Sequence, residues 1–135
     1  MPRTEYWTEF HSTWRHAPLA YWVHVEQDGQ HWSVAERYEP PAPLPIPHKG
    51  YAVLCVPFDE IVLQFSSSEQ LLECIRVLSL TPLPTSRQLS NRRGTSNGPN
   101  GHWLSRLPAR VKSPKNREKL VAALRGVVVS LVFPP

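Results

Sequence analysis

The chain has 135 residues, of which 41% are hydrophobic and 15 are prolines. This length is enough for one domain with its own core, and a proline content about twice the average excludes a plain helical bundle. The net charge of +4 is unevenly distributed, because residues 1–79 sum to −5 and residues 80–135 to +9. We therefore expect the basic half to meet either an external polyanion or the acidic half of its own chain or of a second copy.

Residues 1–16 contain no apolar signal region, and the longest apolar run, residues 127–133, is too short to span a bilayer. These features predict a cytoplasmic protein that does not enter a membrane. Cys55 and Cys74 lie in apolar runs without CxxC spacing, which favours buried reduced thiols. A disulfide between them stays open, since a strand and the following helix can pack together.

The N-terminal third is typical of antiparallel sheet. Alternating residues within 4–15 predict a first strand. Two β-prone runs then flank Asp28-Gly29, a strong signal for a hairpin with a type I′ turn. This hairpin would pair Val25 with Trp32. Its core face would carry Tyr21, Val23, Val25, Trp32 and Val34, and its outer face Trp22, His24, Glu26, His31 and Ser33.

Residues 39–50 contain five prolines, which favours an extended connector. A Pro-rich ligand for another protein's aromatic groove is the alternative. Two apolar strands follow, "YAVLCVPF" and "EIVLQFS". The next run, residues 66–80, predicts a helix with a capping box at Ser66 and Glu69 and an apolar stripe at helical spacing.

In the basic half, Thr85 or Ser86 is a candidate cap for a short helix that ends near Gly94. A loop at 94–101 and a helical turn around Trp103 come next. Ser113 and Pro114 suit the start of a long helix, and Gly126 suits its end. The β-branched run 127–133 then predicts a final strand.

These elements together predict an α+β fold in a single domain over residues 1–135. An antiparallel-rich sheet would contain the N-terminal hairpin, two central strands and a C-terminal strand, with two main helices packed on one face.

The segment "RRGTSNGPNGHWLSRLPARVKSPKNREKLVAAL", residues 92–124, resembles small hypothetical proteins of bacterial mobile elements, of the integron gene-cassette type. The resemblance implies a cytoplasmic bacterial protein without an assigned activity, so it transfers no catalytic residue. The matching residues are Arg93-Gly94-Thr95, Gly98-Pro99-Asn100, the run from His102 to Pro108, and the basic helix to Leu124.

Cationic side chains in this half are candidates for binding phosphates, because charge and counterion release dominate nucleic-acid affinity. Trp103 or His102 would stack on an unpaired base, and the helix start at Ser113 would receive an anion. The alternative is a solvated basic face that pairs with acids of the same chain, and no RNP, KH or zinc-finger pattern is present. The cationic candidates are Arg87, Arg92, Arg93, Arg106, Arg110, Lys112 and Lys115, with Arg117, Lys119 and Arg125 beside them.

Other chemistry has weaker support. His24, Glu26 and His31 would share the outer hairpin face and have ligand-like side chains, although a pair of histidines on a strand is more often part of a half-exposed sheet surface. No GxSxG, HExxH or P-loop motif occurs. His102 and Ser105 lie three residues apart without an evident orienting acid. A small enzyme or small-molecule-binding protein with a site near residues 97–106 is therefore the alternative, and no cofactor is expected.

Five tryptophans and four tyrosines enrich the chain in residue types that anchor interfaces. Trp22, on the face opposite the core, requires cover from another element or from a partner. The sequence therefore predicts a binding or assembly module that forms a homodimer or a higher homo-oligomer.

Overall fold

The computed structural model describes residues 5–85, 87–89 and 102–130. The predictions for Arg92, Arg93 and the 94–101 loop lie outside these ranges. In chain order the elements are β1 (Trp7–His11), α1 (Ala20–Val23), β2 (Val25–Glu26), β3 (Tyr38–Glu39), β4 (Tyr51–Phe58), β5 (Ile61–Phe65), α2 (Ser68–Leu78), the 3₁₀ helices η1 (Trp103–Arg106) and η2 (Ala109–Lys112), and α3 (Pro114–Ser130).

The strands form two antiparallel sheets, one of order β1-β4-β5 and one of β2-β3. Strands β4 and β5 make a hairpin that pairs Leu54 with Phe65, and Asp59 in its turn has a left-handed φ of 57°. The antiparallel sheets and the helices confirm the predicted α+β fold, and the strands predicted in residues 4–15, 51–58 and 60–66 are present.

The main core lies between one face of the larger sheet and the two long helices. Strand residues alternate, so that Leu54, Val56, Leu63 and Phe65 all turn toward the helices and are buried. Helix α2 contributes Leu71, Cys74, Ile75 and Leu78 at helical spacing, and α3 contributes Leu120, Val121, Leu124 and Val127. Two helices on one face of the sheet are thus confirmed.

A smaller aromatic core lies beside this one. Trp14 is its centre, and its ring meets the Tyr38 ring edge-on with 5.0 Å between centroids. Arg15 Nη2 donates to the Tyr38 hydroxyl at 2.9 Å and to the Ala35 carbonyl at 3.2 Å. These contacts fix residues 14–38 as a loop-rich layer.

The hairpin predicted around Asp28-Gly29 is wrong. Residues 20–23 are helical, and β2 pairs with β3, so Val25 lies opposite Glu39 instead of Trp32. The Asp28 carboxylate accepts backbone N–H groups of Gln30 at 3.2 Å and Glu36 at 2.8 Å, which lowers its pKa and organises a wide loop. Trp32 and Tyr38 pack against Trp14, and this packing favours the wide loop over a tight two-residue turn. Val34, assigned to the core face, is 61% exposed.

The proline-rich connector is irregular over residues 41–45 and closes with a bridge between Ile46 and Gly50. Gly50 has φ 99°, and a Cβ there would lie 2.6 Å from the His11 carbonyl oxygen. Only glycine therefore fits where the connector passes the end of β1.

The predicted cap of α2 is shifted by one residue. Ser67, rather than Ser66, caps the helix, because its Oγ accepts the Gln70 N–H at 3.3 Å. The Gln70 side chain accepts the Ser66 N–H at 2.9 Å, and Ser66 Oγ donates to the Trp14 carbonyl at 2.9 Å. His24 donates from Nδ1 to the Pro40 carbonyl at 2.9 Å and accepts from Ser67 Oγ at 2.8 Å. This buried network joins the two cores.

The predicted C-terminal strand is wrong over residues 127–130, and Gly126 does not end the helix. Helix α3 begins at Pro114, as predicted, but continues through Gly126 to Ser130. Val127 is fully buried and Val129 is 86% exposed, a helical alternation of sides. The buried face that contains Leu120 and Leu124 extends to Val127, and this packing overrides the β preference of valine. Residues 131–133 lie outside the described ranges.

Both cysteines are buried free thiols, as the sequence favoured, and no disulfide joins them. Burial raises the pKa of Cys74 and keeps the thiol protonated. Of the helices in the described parts of the chain, none is both long and apolar enough to cross a membrane.

Candidate nucleic-acid interface

Residues 102–130, here called the basic segment, carry seven basic side chains and one acidic side chain, Glu118. The segment comprises η1, η2 and α3 in succession. Arg106 is exposed at the end of η1, Lys112 is half-exposed at the end of η2, and Lys115 and Lys119 are exposed on α3. We call these four residues the basic face.

Packing of the segment turns these charges outward. Helix α3 buries Leu120, Leu124 and Val127, so Lys115 and Lys119, one turn apart, lie on its opposite side. Two like charges at this spacing destabilise a helix slightly, and a cation in the first turn opposes the helix dipole. The positive charges of Lys115 and Lys119 therefore slightly lower the stability of α3.

Hydrogen bonds hold η2 against the start of α3. The Arg110 carbonyl accepts from the Asn116 amide at 2.8 Å and from the Ser113 hydroxyl at 3.0 Å. Ser113 precedes the first helical residue, as predicted, but its hydroxyl donates backward to η2. Val111 is buried and anchors the same turn in the main core. Lys112 and Lys115 therefore project from a fixed framework.

Arg110 differs from the basic face because its charge is paired within the chain. Its guanidinium lies 3.0 Å from the Asp59 carboxylate and 2.9 Å from that of Glu60, and these contacts raise the pKa of Arg110. Intramolecular pairing, the alternative to an external polyanion, thus occurs at this residue. Within the described ranges the four basic-face residues make no ion pair.

Arg87 and Arg117 are placed differently from the other candidates. Arg87 is exposed on a separate helical turn at 87–89, where Thr85 Oγ1 accepts the Gln88 N–H at 3.1 Å. Arg117 is only 9% exposed. Its position three residues before Leu120 and seven before Leu124 puts it on the core side of α3, so helical periodicity alone could have separated it from the phosphate-binding candidates.

His102 and Trp103 are both only 3% exposed, so neither ring is available to stack on a base in this structure. The His102 ring packs against Trp22 with 4.5 Å between centroids, and its Nδ1 accepts the Leu104 N–H at 3.0 Å. Burial lowers the pKa of His102 to about 4, so the imidazole is neutral. Another part of the same chain therefore covers Trp22 in part, and the Trp22 side chain is half-buried.

The pairing of His102 with Ser105 that would support an enzyme is not formed. The Ser105 hydroxyl donates to the His102 backbone carbonyl at 2.7 Å. The cavity beside His102 and Trp22 has a volume of about 110 Å³, below that of ordinary ligand pockets.

The three candidate metal ligands are not brought together, because the hairpin that would align them does not form. His24 is fully buried and both its ring nitrogens are occupied by Pro40 and Ser67, whereas His31 is exposed beside Ser33. Among the described residues, no group of three His, Cys, Asp or Glu side chains is placed to hold a metal ion.

No protein-family model matches the chain, and neither a curated protein nor a solved structure matches it. The resemblance of residues 92–124 to integron gene-cassette proteins therefore stays a prediction, as does the homo-oligomer.

Proposed function

We propose that this protein binds nucleic acid through the phosphate backbone, using the basic face of Arg106, Lys112, Lys115 and Lys119. One observation supports this most directly. The four cations are solvent-accessible and make no ion pair within the described residues, while Arg110 beside them engages two carboxylates. Each phosphate neutralised by such a residue releases counterions and contributes to affinity.

The surroundings of the basic face favour a phosphate backbone over a protein partner. Protein interfaces are built around buried aromatic or aliphatic anchors. Within residues 102–130 the one large hydrophobic side chain that is strongly exposed is Val129, almost three helical turns beyond Lys119. A surface of cations without an apolar anchor suits a ligand that offers charge along its length.

Recognition of this kind is expected to tolerate different sequences. Phosphate contacts position a protein on nucleic acid, whereas sequence is read through base edges or unpaired bases. The rings of His102 and Trp103 are buried, so the described part of the segment offers cations and no stacking platform.

The test is fluorescence anisotropy with labelled single- and double-stranded DNA and RNA of mixed sequence, from low to physiological salt. Four phosphate contacts predict that log K falls with log salt with a slope of about −3 to −4. The double variant K115E/K119E is expected to bind at least about tenfold more weakly and to reduce that slope by about two.

The matched control is R37E/K49E, which makes the same change in net charge at exposed positions of the acidic half. We expect a much smaller loss of affinity in this control. Absence of wild-type binding at low salt would refute the proposal. An equal loss in both double variants would show that net charge, and not this face, governs binding.

A further inference from the structure

Arg117 of α3 is a buried cation whose guanidinium has no partner within the described residues. It is 9% exposed, and its Nε is buried with no hydrogen-bond acceptor. Its backbone N–H completes the first turn of α3 on Ser113, but within the described residues its guanidinium makes no hydrogen bond or ion pair. A buried N–H without an acceptor has lost its hydration and makes no hydrogen bond in exchange, which is unfavourable.

The Arg117 side chain lines a groove of about 820 Å³ between the end of α2 and α3. This volume lies within the range of small-molecule sites. The walls mix polar and apolar residues, with the apolar Leu78 and Leu83 on one side and Val121 and Ala122 on the other. The groove thus combines apolar side chains with a cation whose Nε has no acceptor within the described residues.

The charged residues that line the groove limit the class of ligand that it can bind. Arg117 and Arg125 line the groove together with a single acid, Glu118, so the lining has a net charge of +1. Among the described residues, Arg125 makes one side-chain hydrogen bond, a long contact of 3.4 Å with the Ser79 hydroxyl. Glu118 would repel a dianion, so the charges of the lining favour a monoanion. A planar carboxylate matches the fork of donors on a guanidinium.

We propose that this groove binds a medium-chain carboxylate, with its carboxylate on Arg117 and its hydrocarbon chain along Leu78, Leu83 and Val121. This site lies on the side of α3 that contacts α2, whereas Lys115 and Lys119 lie on the solvent side. The inference does not rest on the proposed binding of nucleic acid.

The probe is octanoate, titrated by calorimetry, with octanamide as its uncharged counterpart. We expect octanoate to bind the wild-type protein and R117M to bind it at least about tenfold more weakly, because the charged hydrogen bonds are lost. Octanamide is expected to bind both proteins weakly and alike. K115E/K119E is expected to leave octanoate affinity unchanged.

A second variant tests the groove without altering Arg117. Ala122 is exposed on α3 and lines the groove, so A122W would fill it from a position that tolerates a larger side chain. We expect A122W to lose octanoate binding, whereas A109W, an exposed substitution on η2, retains it. Failure of octanoate to bind the wild-type protein, or binding to R117M and A122W with wild-type affinity, would overturn the proposal.

Discussion

The guanidinium of Arg110 lies 3.0 Å from the carboxylate of Asp59, in the turn that joins β4 to β5. Glu60 adds a second carboxylate at 2.9 Å. The two acids are 50 and 51 residues away from Arg110 in the chain, and they connect the acidic half of the sequence to the basic segment. They neutralise one cation at the border of the basic face and leave Lys112 and Lys115 available to solvent.

Removal of these two carboxylates should strengthen nucleic-acid binding. In D59N/E60Q the charge of Arg110 becomes available for a phosphate, so the affinity is expected to rise several-fold and the salt slope to steepen by about one. Asparagine suits position 59 because it tolerates the left-handed φ of 57°. Anisotropy titrations over a range of salt measure both quantities.

The control for this variant is E36Q/E39Q, which removes two exposed acids from the other part of the chain. A gain in affinity as large as that of D59N/E60Q would mean that the effect is one of net charge, and the local role of Arg110 would be wrong.

A separate prediction concerns the last turns of α3. Val127 and Val129 would lie on one face of a strand, but in α3 the first is fully buried and the second is 86% exposed. V127N is expected to lower the free energy of unfolding by about 2–4 kcal/mol, because it buries an unpaired amide, and V129N to change it by less than about 0.5 kcal/mol. Urea denaturation of both variants measures the difference. Equal destabilisation would favour the strand.

Local patterns predicted much of the larger sheet and its helices. Alternation located β1, two short apolar runs located β4 and β5, and the apolar stripe located α2. Serine followed by proline located the start of α3 at residue 114. Each of these signals acts between residues close in sequence, and the structure keeps the local arrangement because burial on the same face reinforces it.

The two segments with a wrongly predicted secondary structure have a common physical cause for the error. Residues 20–38 and 127–130 have strong β propensity, yet their conformation is set by packing against distant residues. Tyr38 and Trp32 pack on Trp14, and Val127 extends a helical face already begun by Leu120. Nothing within either segment identifies these partners.

The sequence predicted which segment carries the positive charge, but not how its side chains are arranged in the fold. Counting charges identified the basic segment, and helical spacing shows that Lys115 and Lys119 share a face. The pairing of Arg110 with Glu60, and the burial of His102 against Trp22, depend on contacts across the fold. The sequence therefore could not distinguish the candidates that are ion-paired or buried from those that are available to a ligand.

The cap of α2 provides a stability test of the buried network. Ser67 Oγ accepts the Gln70 N–H and donates to His24 Nε2 at 2.8 Å. S67A is expected to lower the free energy of unfolding by about 2–3 kcal/mol, since it removes the cap and leaves a buried imidazole nitrogen without a donor. The control is S68A, because within the described residues the Ser68 hydroxyl bonds to Glu69 alone, and this variant should cost less than about 0.5 kcal/mol. Equal losses in chemical denaturation would contradict the role of Ser67.

The buried His102 predicts how stability depends on pH. Burial lowers its pKa from 6.5 to about 4. Above pH 6.5 the residue is neutral in both the folded and the unfolded chain. As the pH falls from 6.5 toward 4, the unfolded chain binds a proton that the folded chain does not, so the free energy of unfolding falls by about 1.4 kcal/mol per pH unit.

The variant H102N isolates this effect. Asparagine still offers an oxygen to the Leu104 N–H but does not titrate. At pH 7 we expect H102N to be less stable than the wild type, because its packing against Trp22 is lost. Between pH 7 and pH 5 the gap in the free energy of unfolding should narrow by about 2 kcal/mol, since only the wild type loses the contribution of a neutral imidazole. Urea denaturation at several pH values measures this gap, and parallel profiles of the two proteins would show that His102 titrates alike in the folded and unfolded states.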